Sequence, residues 1–179
     1  MSTRRSLLLA AITATVLPLE SFGQPAVPRV PKQITVPEGY KLLFKLEAKG
    51  VQIYRAESKA NTLEWKLEAP LADLADGKGG KAGCHYEGPS WEAADGSKVV
   101  RDKTEDVKSA DSPNPKESIP WLLIRVKPEE GKDGLFSPAG YIQRLQTEGG
   151  KAPADPPKRD GTKIGVEYRA VYYFYGKAN

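Results

Sequence analysis

The segment from Gly83 to Ser97 holds the densest group of side chains that could do chemistry. It contains the only histidine of the chain, His85, with aromatic and carboxylate residues around it and glycine and proline between them. A histidine can act as a general base or proton shuttle when a carboxylate orients its ring. The nearest candidate partners along the chain are Glu87, Glu92 and Asp95. The segment therefore predicts a catalytic group of His85 with Glu92 or Asp95, and the alternative is a hydrogen-bonded structural histidine beside a hairpin turn.

Aromatic side chains offer a second kind of site, a stacking platform for a glycan or a small apolar ligand. In a strand, Tyr173 and Tyr175 lie on the face opposite the two aromatic residues that alternate with them. One pair is therefore expected to be in the core and the other to be exposed. The alternative is that all these aromatic residues are core. The candidate ligand-binding residues are Tyr86, Trp91, Tyr173 and Tyr175.

The sequence has few of the residues and motifs that bind metals, nucleotides or nucleic acids. Zinc and copper sites usually need several His, Cys or Met ligands, and this chain has one of each. It contains no Gly-x-Gly-x-x-Gly and no Gly-x-Ser-x-Gly pattern. The net charge is +4, and both signs are interspersed along the chain. We therefore expect no metal site, no cofactor and no nucleic-acid partner.

The first residues have the pattern of an export signal. Arg4 and Arg5 precede an apolar run from Leu7 to Leu17, and Ser21-Phe22-Gly23 offers small residues for cleavage before Gln24. The paired arginines resemble a twin-arginine signal, with an ordinary Sec signal as the alternative. The run is shorter than the roughly 20 residues that span a bilayer, so no stable membrane anchor is expected. These features predict a periplasmic or secreted protein whose partners include an export translocase and a signal peptidase.

The remaining chain divides into a Pro-rich lead, residues 24–37, and a single β domain, residues 38–179. Leu63, Trp65 and Leu67 alternate with charged residues, which is the period of a half-buried strand. Val166 to Tyr175 is rich in β-branched and aromatic residues. No stretch shows a helical period with caps. The pattern predicts an all-β protein, an antiparallel β-sandwich or a barrel-like sheet with long loops.

Three ordered segments resemble a known family: His85 to Ser97, Ile119 to Leu123, and Tyr141 to Pro153. Together they are similar to the family called domain of unknown function 3455, over about residues 37–176. The resemblance implies an exported bacterial or fungal protein and no established activity. It also implies two cysteines at positions that Ala56 and the Asp155-Pro156-Pro157 region occupy here, so a disulfide of the family is missing from this chain.

Three functions follow as hypotheses from these observations. The first is an exported β-sandwich that binds a ligand or an envelope component, because catalytic and metal-binding residues are scarce beside a dense aromatic segment. The second is a hydrolase, lyase or isomerase that uses His85 with a nearby carboxylate. The third is a structural or stress-related envelope protein with no small ligand.

The predicted cleavage site gives a direct test of the export signal. The exported chain is expected to begin at Gln24, and intact mass spectrometry of the secreted fraction should give the mass of residues 24–179. A mass that includes residues 1–23 would contradict cleavage. A larger mass than residues 24–179 supply would reveal a bound metal or organic group.

Overall fold

The computed structural model describes residues 28–60 and 62–178, and the predicted export signal lies outside them. Nine strands and one 3-10 turn, Lys32–Ile34, make up the regular structure of this part. All the strand pairings are antiparallel, so the predicted all-β class is confirmed. None of the described residues forms a helix with the length and apolar character needed to span a membrane. The strands are β1 (Tyr40–Lys59), β2 (Thr62–Ala75), β3 (Lys81–Tyr86), β4 (Ser90–Ala93), β5 (Lys98–Arg101), β6 (Lys108–Ala110), β7 (Trp121–Pro128), β8 (Ala139–Gly149) and β9 (Lys163–Lys177).

The strands form one sheet that closes on itself. Their order is β5-β4-β3-β2-β1-β9-β8-β7-β6, and β5 also pairs with β7. In that pairing Val99 lies opposite Pro128 and Arg101 lies opposite Val126. The sheet is therefore ring-like, and β6 is attached to the outside of the ring through β7. Closure leaves few unpaired strand edges, which protects a long sheet from pairing with other chains.

Glycine allows the long strands to approach one another closely where the sheet curves. A Cβ built on Gly50 would lie 2.0 Å from the carbonyl oxygen of Leu71 on β2. One on Gly83 would lie 2.2 Å from the carbonyl oxygen of Glu92 on β4. Any larger residue at either position would push the paired strands apart. Glycine at these two positions therefore permits the close approach of the paired strands.

The interior of the ring is the main core. Its side chains come from alternate positions of the paired strands, as strand geometry requires. One end is aromatic: Phe44, Phe136 and Phe174 pack with ring centroids 4.8 to 5.8 Å apart. The other buried members of the interior are mainly aliphatic residues and aromatic rings, among them Leu46, Leu74, Trp91, Val99, Ile119, Ile124, Val126, Ile142, Tyr168 and Tyr172.

A second core lies outside the ring, beneath the described part of the Pro-rich lead. Ile34 is fully buried there, and Val30 and Val36 pack against the same cluster. The carbonyl oxygen of Ile34 accepts a hydrogen bond of 2.7 Å from Nε2 of Gln143 on β8. The lead thus supplies the layer that covers the outer face of β8 and β9. Its few apolar residues are the ones that dock.

This packing predicts that Ile34→Ala destabilises the protein by about 2–5 kcal/mol, because it leaves a cavity under the lead. Urea unfolding of the mature chain measures the loss. Thr35→Ala is the matched control: Thr35 is exposed, and its truncation is expected to change stability by less than about 0.5 kcal/mol. Equal stabilities for the two variants would mean that the lead contributes nothing to the fold.

Candidate functional site

His85 lies inside the ring, stacked on Trp91. The centroids of the two rings are 4.4 Å apart, and the interplanar angle is 12°. Tyr172 packs against His85 in an edge arrangement, with a centroid distance of 5.1 Å. Nδ1 of His85 is 2.8 Å from the carbonyl oxygen of Ser90. Because a carbonyl only accepts, Nδ1 carries the proton. Burial lowers the pKa of His85 to about 3, so the imidazole is neutral at physiological pH.

The structure does not bring His85 together with its predicted carboxylate partners. His85 and Trp91 are opposite each other in the β3–β4 ladder, and so are Cys84 and Glu92. Since neighbouring residues of a strand point to opposite faces, Glu92 lies on the outer face, away from His85. There it accepts a hydrogen bond of 2.5 Å from the hydroxyl of Tyr86. The orienting group of His85 is the Ser90 carbonyl.

Asp95 is an organising residue of a turn. Its Oδ1 accepts hydrogen bonds from the backbone N–H of Ser97, at 2.9 Å, and from the Ser97 hydroxyl, at 2.6 Å. Its Oδ2 accepts from the N–H of Leu135, at 2.8 Å. The Ser97 hydroxyl oxygen in turn accepts from the N–H of Phe136. These bonds lower the pKa of Asp95, and they hold the loop that inserts Phe136 into the core.

The aromatic platform predicted on β9 is not exposed. Tyr173 and Tyr175 are 5 % and 2 % exposed, and the alternate aromatic residues are also buried. The expectation that one pair faces solvent is wrong because the lead covers the outer face. The Tyr175 hydroxyl donates to Oε1 of Gln143 at 2.7 Å, beneath Ile34, and burial raises its pKa to about 12. Trp91 is likewise fully buried.

A cationic cleft opens at the aromatic end of the ring. Its volume is about 540 Å³, and its walls come from the first residues of β1 and β8 and the last residues of β7 and β9. Lys41, Lys127 and Lys177 are its exposed cations, and we call it the lysine cleft. None of the three forms an ion pair with another described residue. No sequence pattern predicts this site, since the three lysines are far apart along the chain.

One wall of the lysine cleft is a fixed network around Arg125. Its guanidinium contacts Asp102 at 3.2 Å and Glu105 at 2.5 Å. The Tyr141 hydroxyl donates to both oxygens of Glu105 at 3.1 Å. Tyr40 packs edge-on against Tyr141 with ring centroids 4.8 Å apart. Because Arg125 is neutralised by two carboxylates, the lysines are the cations that a ligand would meet.

The floor of the lysine cleft depends on two glycines. A Cβ on Gly140 would lie 2.7 Å from Cε1 of Tyr40. One on Gly176 would lie 2.7 Å from the carbonyl oxygen of Pro138 and 2.9 Å from Leu43. The absence of a side chain at both positions therefore leaves room for Tyr40 and Leu43 in the lining of the cleft. The result is a shallow apolar floor under a cationic rim.

Metal-binding geometry is absent from the described residues: nowhere in 28–60 and 62–178 do three or more His, Cys, Asp or Glu side chains come together as ligands. The single cysteine of the chain, Cys84, is a partly buried free thiol. Burial and the nearby Glu92 charge raise its pKa, which disfavours the reactive thiolate.

The fold and the cleft define an all-β domain with a closed ring and an open cationic surface site. Residues 37–176 match the family described as "Protein of unknown function (DUF3455)", and the chain belongs to this family. The resemblance noted in the sequence is thereby confirmed. No curated protein and no solved structure compared with the chain matches it.

The buried neutral histidine predicts a specific pH dependence of stability. Between pH 6.5 and about 3 the unfolded chain binds a proton that native His85 does not, so stability falls as the pH falls. The slope is up to about 1.4 kcal/mol per pH unit. From pH 7 to pH 5 the wild type should lose roughly 2 kcal/mol more than His85→Asn, whose amide retains a donor for Ser90.

Urea unfolding at the two pH values provides this comparison. The carboxylates titrate in both proteins, so they cancel in the difference. Parallel losses in wild type and variant would show that His85 is solvated or ionised in the native state.

Proposed function

We propose that this protein is an exported, non-catalytic β protein that binds an acidic polysaccharide of the cell envelope through the lysine cleft. The observation that carries the proposal is the convergence of Lys41, Lys127 and Lys177, exposed and without ion-pair partners among the described residues, on one apolar floor. These cations come from three strands, so the fold itself assembles them.

The charge balance of the lysine cleft favours an anionic ligand. Three lysines and Arg125 line it, against one carboxylate, Asp102. A second concave region lies on the outer face of β1 and β9, and its charges favour an anionic ligand less strongly. Its two cations, Lys49 and Arg169, stand among four carboxylates: Glu47, Asp73, Glu148 and Glu167.

An extended polymer suits the lysine cleft better than a compact anion does. Each exposed lysine is a hydrated charge whose single contact with an anion contributes little free energy. A chain with repeated carboxylates engages several such contacts at once, and their effects combine. Tyr40 and the glycine floor offer a flat surface on which a sugar ring can pack.

The position of His85 supports binding rather than acid–base catalysis. A general base needs a pKa near the working pH and reach to the substrate proton. His85 has a pKa of about 3, is 3 % exposed, and is not among the residues that line the clefts described above.

The decisive variant is the triple substitution Lys41→Gln, Lys127→Gln and Lys177→Gln. Binding of the mature chain to polygalacturonate is expected to weaken by about tenfold or more, because three weak charge contacts are lost. Wild-type binding should also fall steeply with added salt. Surface plasmon resonance on immobilised polygalacturonate, with neutral dextran as the reference surface, measures both effects.

A second triple variant separates the lysine cleft from overall charge. Lys45, Lys49 and Lys151 are exposed, and none of them forms an ion pair with a described residue. Their conversion to Gln lowers the net charge by the same amount and should leave affinity within about twofold. If both triples lose affinity equally, the attraction is general and the lysine cleft is not the site.

A further inference from the structure

We infer that the ring interior holds a small carboxylate anion, of the size of formate or acetate, against the buried guanidinium of Arg144. Arg144 lies opposite Tyr172 in the β8–β9 ladder, further along the strands than Phe174 and the lysine cleft. The anion site is separate from the proposed polysaccharide surface, and it rests on different residues.

The interior polar end is built around Arg144 of β8. This side chain is 8 % exposed, and it faces the same interior as Ile142 on its strand. It donates to the carbonyl oxygen of Pro120 through Nε at 3.3 Å and Nη2 at 2.9 Å. No carboxylate among the described residues comes within 4.0 Å of it. A buried charge without a countercharge destabilises the native state, so a compensating anion is expected.

The neighbouring tyrosines are not that countercharge. Burial raises the pKa of Tyr54, Tyr168 and Tyr172, and the Arg144 charge opposes burial only in part. All three therefore stay neutral at physiological pH. The Tyr54 hydroxyl donates to the carbonyl oxygen of Gly150 at 2.7 Å. Those of Tyr168 and Tyr172 lie 3.4 Å from each other.

The same interior contains donors that lack acceptors. Nε2 of Gln52 and Nε1 of Trp91 are fully buried, and neither has a hydrogen-bond partner among the described residues. Gln52 lies beside Tyr168, since a Cβ on Gly150 would touch both side chains. An unsatisfied buried donor destabilises the native state. A carboxylate brings the negative charge that Arg144 lacks, and its oxygens can accept from a buried donor of this interior. The interior is enclosed by the sheet and lined by buried side chains, so the proposed ligand is a small one.

Thermal unfolding of the mature chain in sodium formate or sodium acetate tests the inference, with perchlorate at equal ionic strength as the reference. Binding to the native state alone should raise the melting temperature by about 5–10 °C at a hundredfold excess over Kd. Arg144→Met should abolish this rise. Arg169→Met, which removes an exposed arginine of β9, should retain it.

Two further variants decide the remaining outcomes. If Arg144→Met does not fold, Gln52→Leu is the alternative, since it keeps the Arg144 charge and removes one hydrogen-bond donor. This variant should weaken formate affinity roughly tenfold. The triple lysine-cleft variant should keep the full rise in melting temperature. The two proposals can therefore fail independently of each other. The inference is overturned if the wild type gains nothing over perchlorate, if Arg144→Met gains as much as wild type, or if only the lysine-cleft triple loses the rise.

Discussion

The pairing of β5 with β7 is the constraint on which the rest of the structure depends. It joins the two ends of the strand order through a few residues, with Val100 opposite Lys127 at its centre. Without it the sheet would be open, and the faces of β3, β4 and β5 that carry His85 and Trp91 would meet water. With it, these side chains are buried, and burial changes the chemistry of every polar group in the interior. The depressed pKa of His85 and the buried charge of Arg144 are both consequences of closure.

The ring also separates two chemical environments along its axis. Phe44, Phe136 and Phe174 fill the end that supports the lysine cleft. Arg144 on β8 lies opposite Tyr172, and Gln52 on β1 lies opposite Val166, so both are further from that end than Phe44 and Phe174. The cationic surface and the buried polar residues are therefore made of different side chains at different levels of the strands. A ligand on the surface does not contact the buried residues, so the two proposals can be tested independently of each other.

Much of the fold could be predicted from the sequence because it follows from local rules. Alternation marked the strands, and Asp95 with the following glycine marked a turn that its side chain does organise. The candidate site could not be predicted in the same way. A carboxylate can contact His85 only if both side chains lie on the same face of β3 and β4. Glu92 lies on the opposite face of the sheet. Whether Tyr173 is exposed depends on a lead that docks from far away along the chain.

The missing cysteine pair shows how this chain holds its last long loop without a covalent bond. Ala56 replaces one of the cysteines that the family resemblance implies, and its backbone makes two hydrogen bonds to the loop, with Thr162 at 2.8 Å and Gly161 at 3.0 Å. Trp65, its partner on β2, donates from Nε1 to the carbonyl oxygen of Asp155 at 3.0 Å. A disulfide would act mainly by restricting the unfolded chain, whereas these bonds act only in the native state. Stability must therefore come from the closed ring and its two cores. With one cysteine in the sequence, the chain forms no internal disulfide and needs no oxidant to fold.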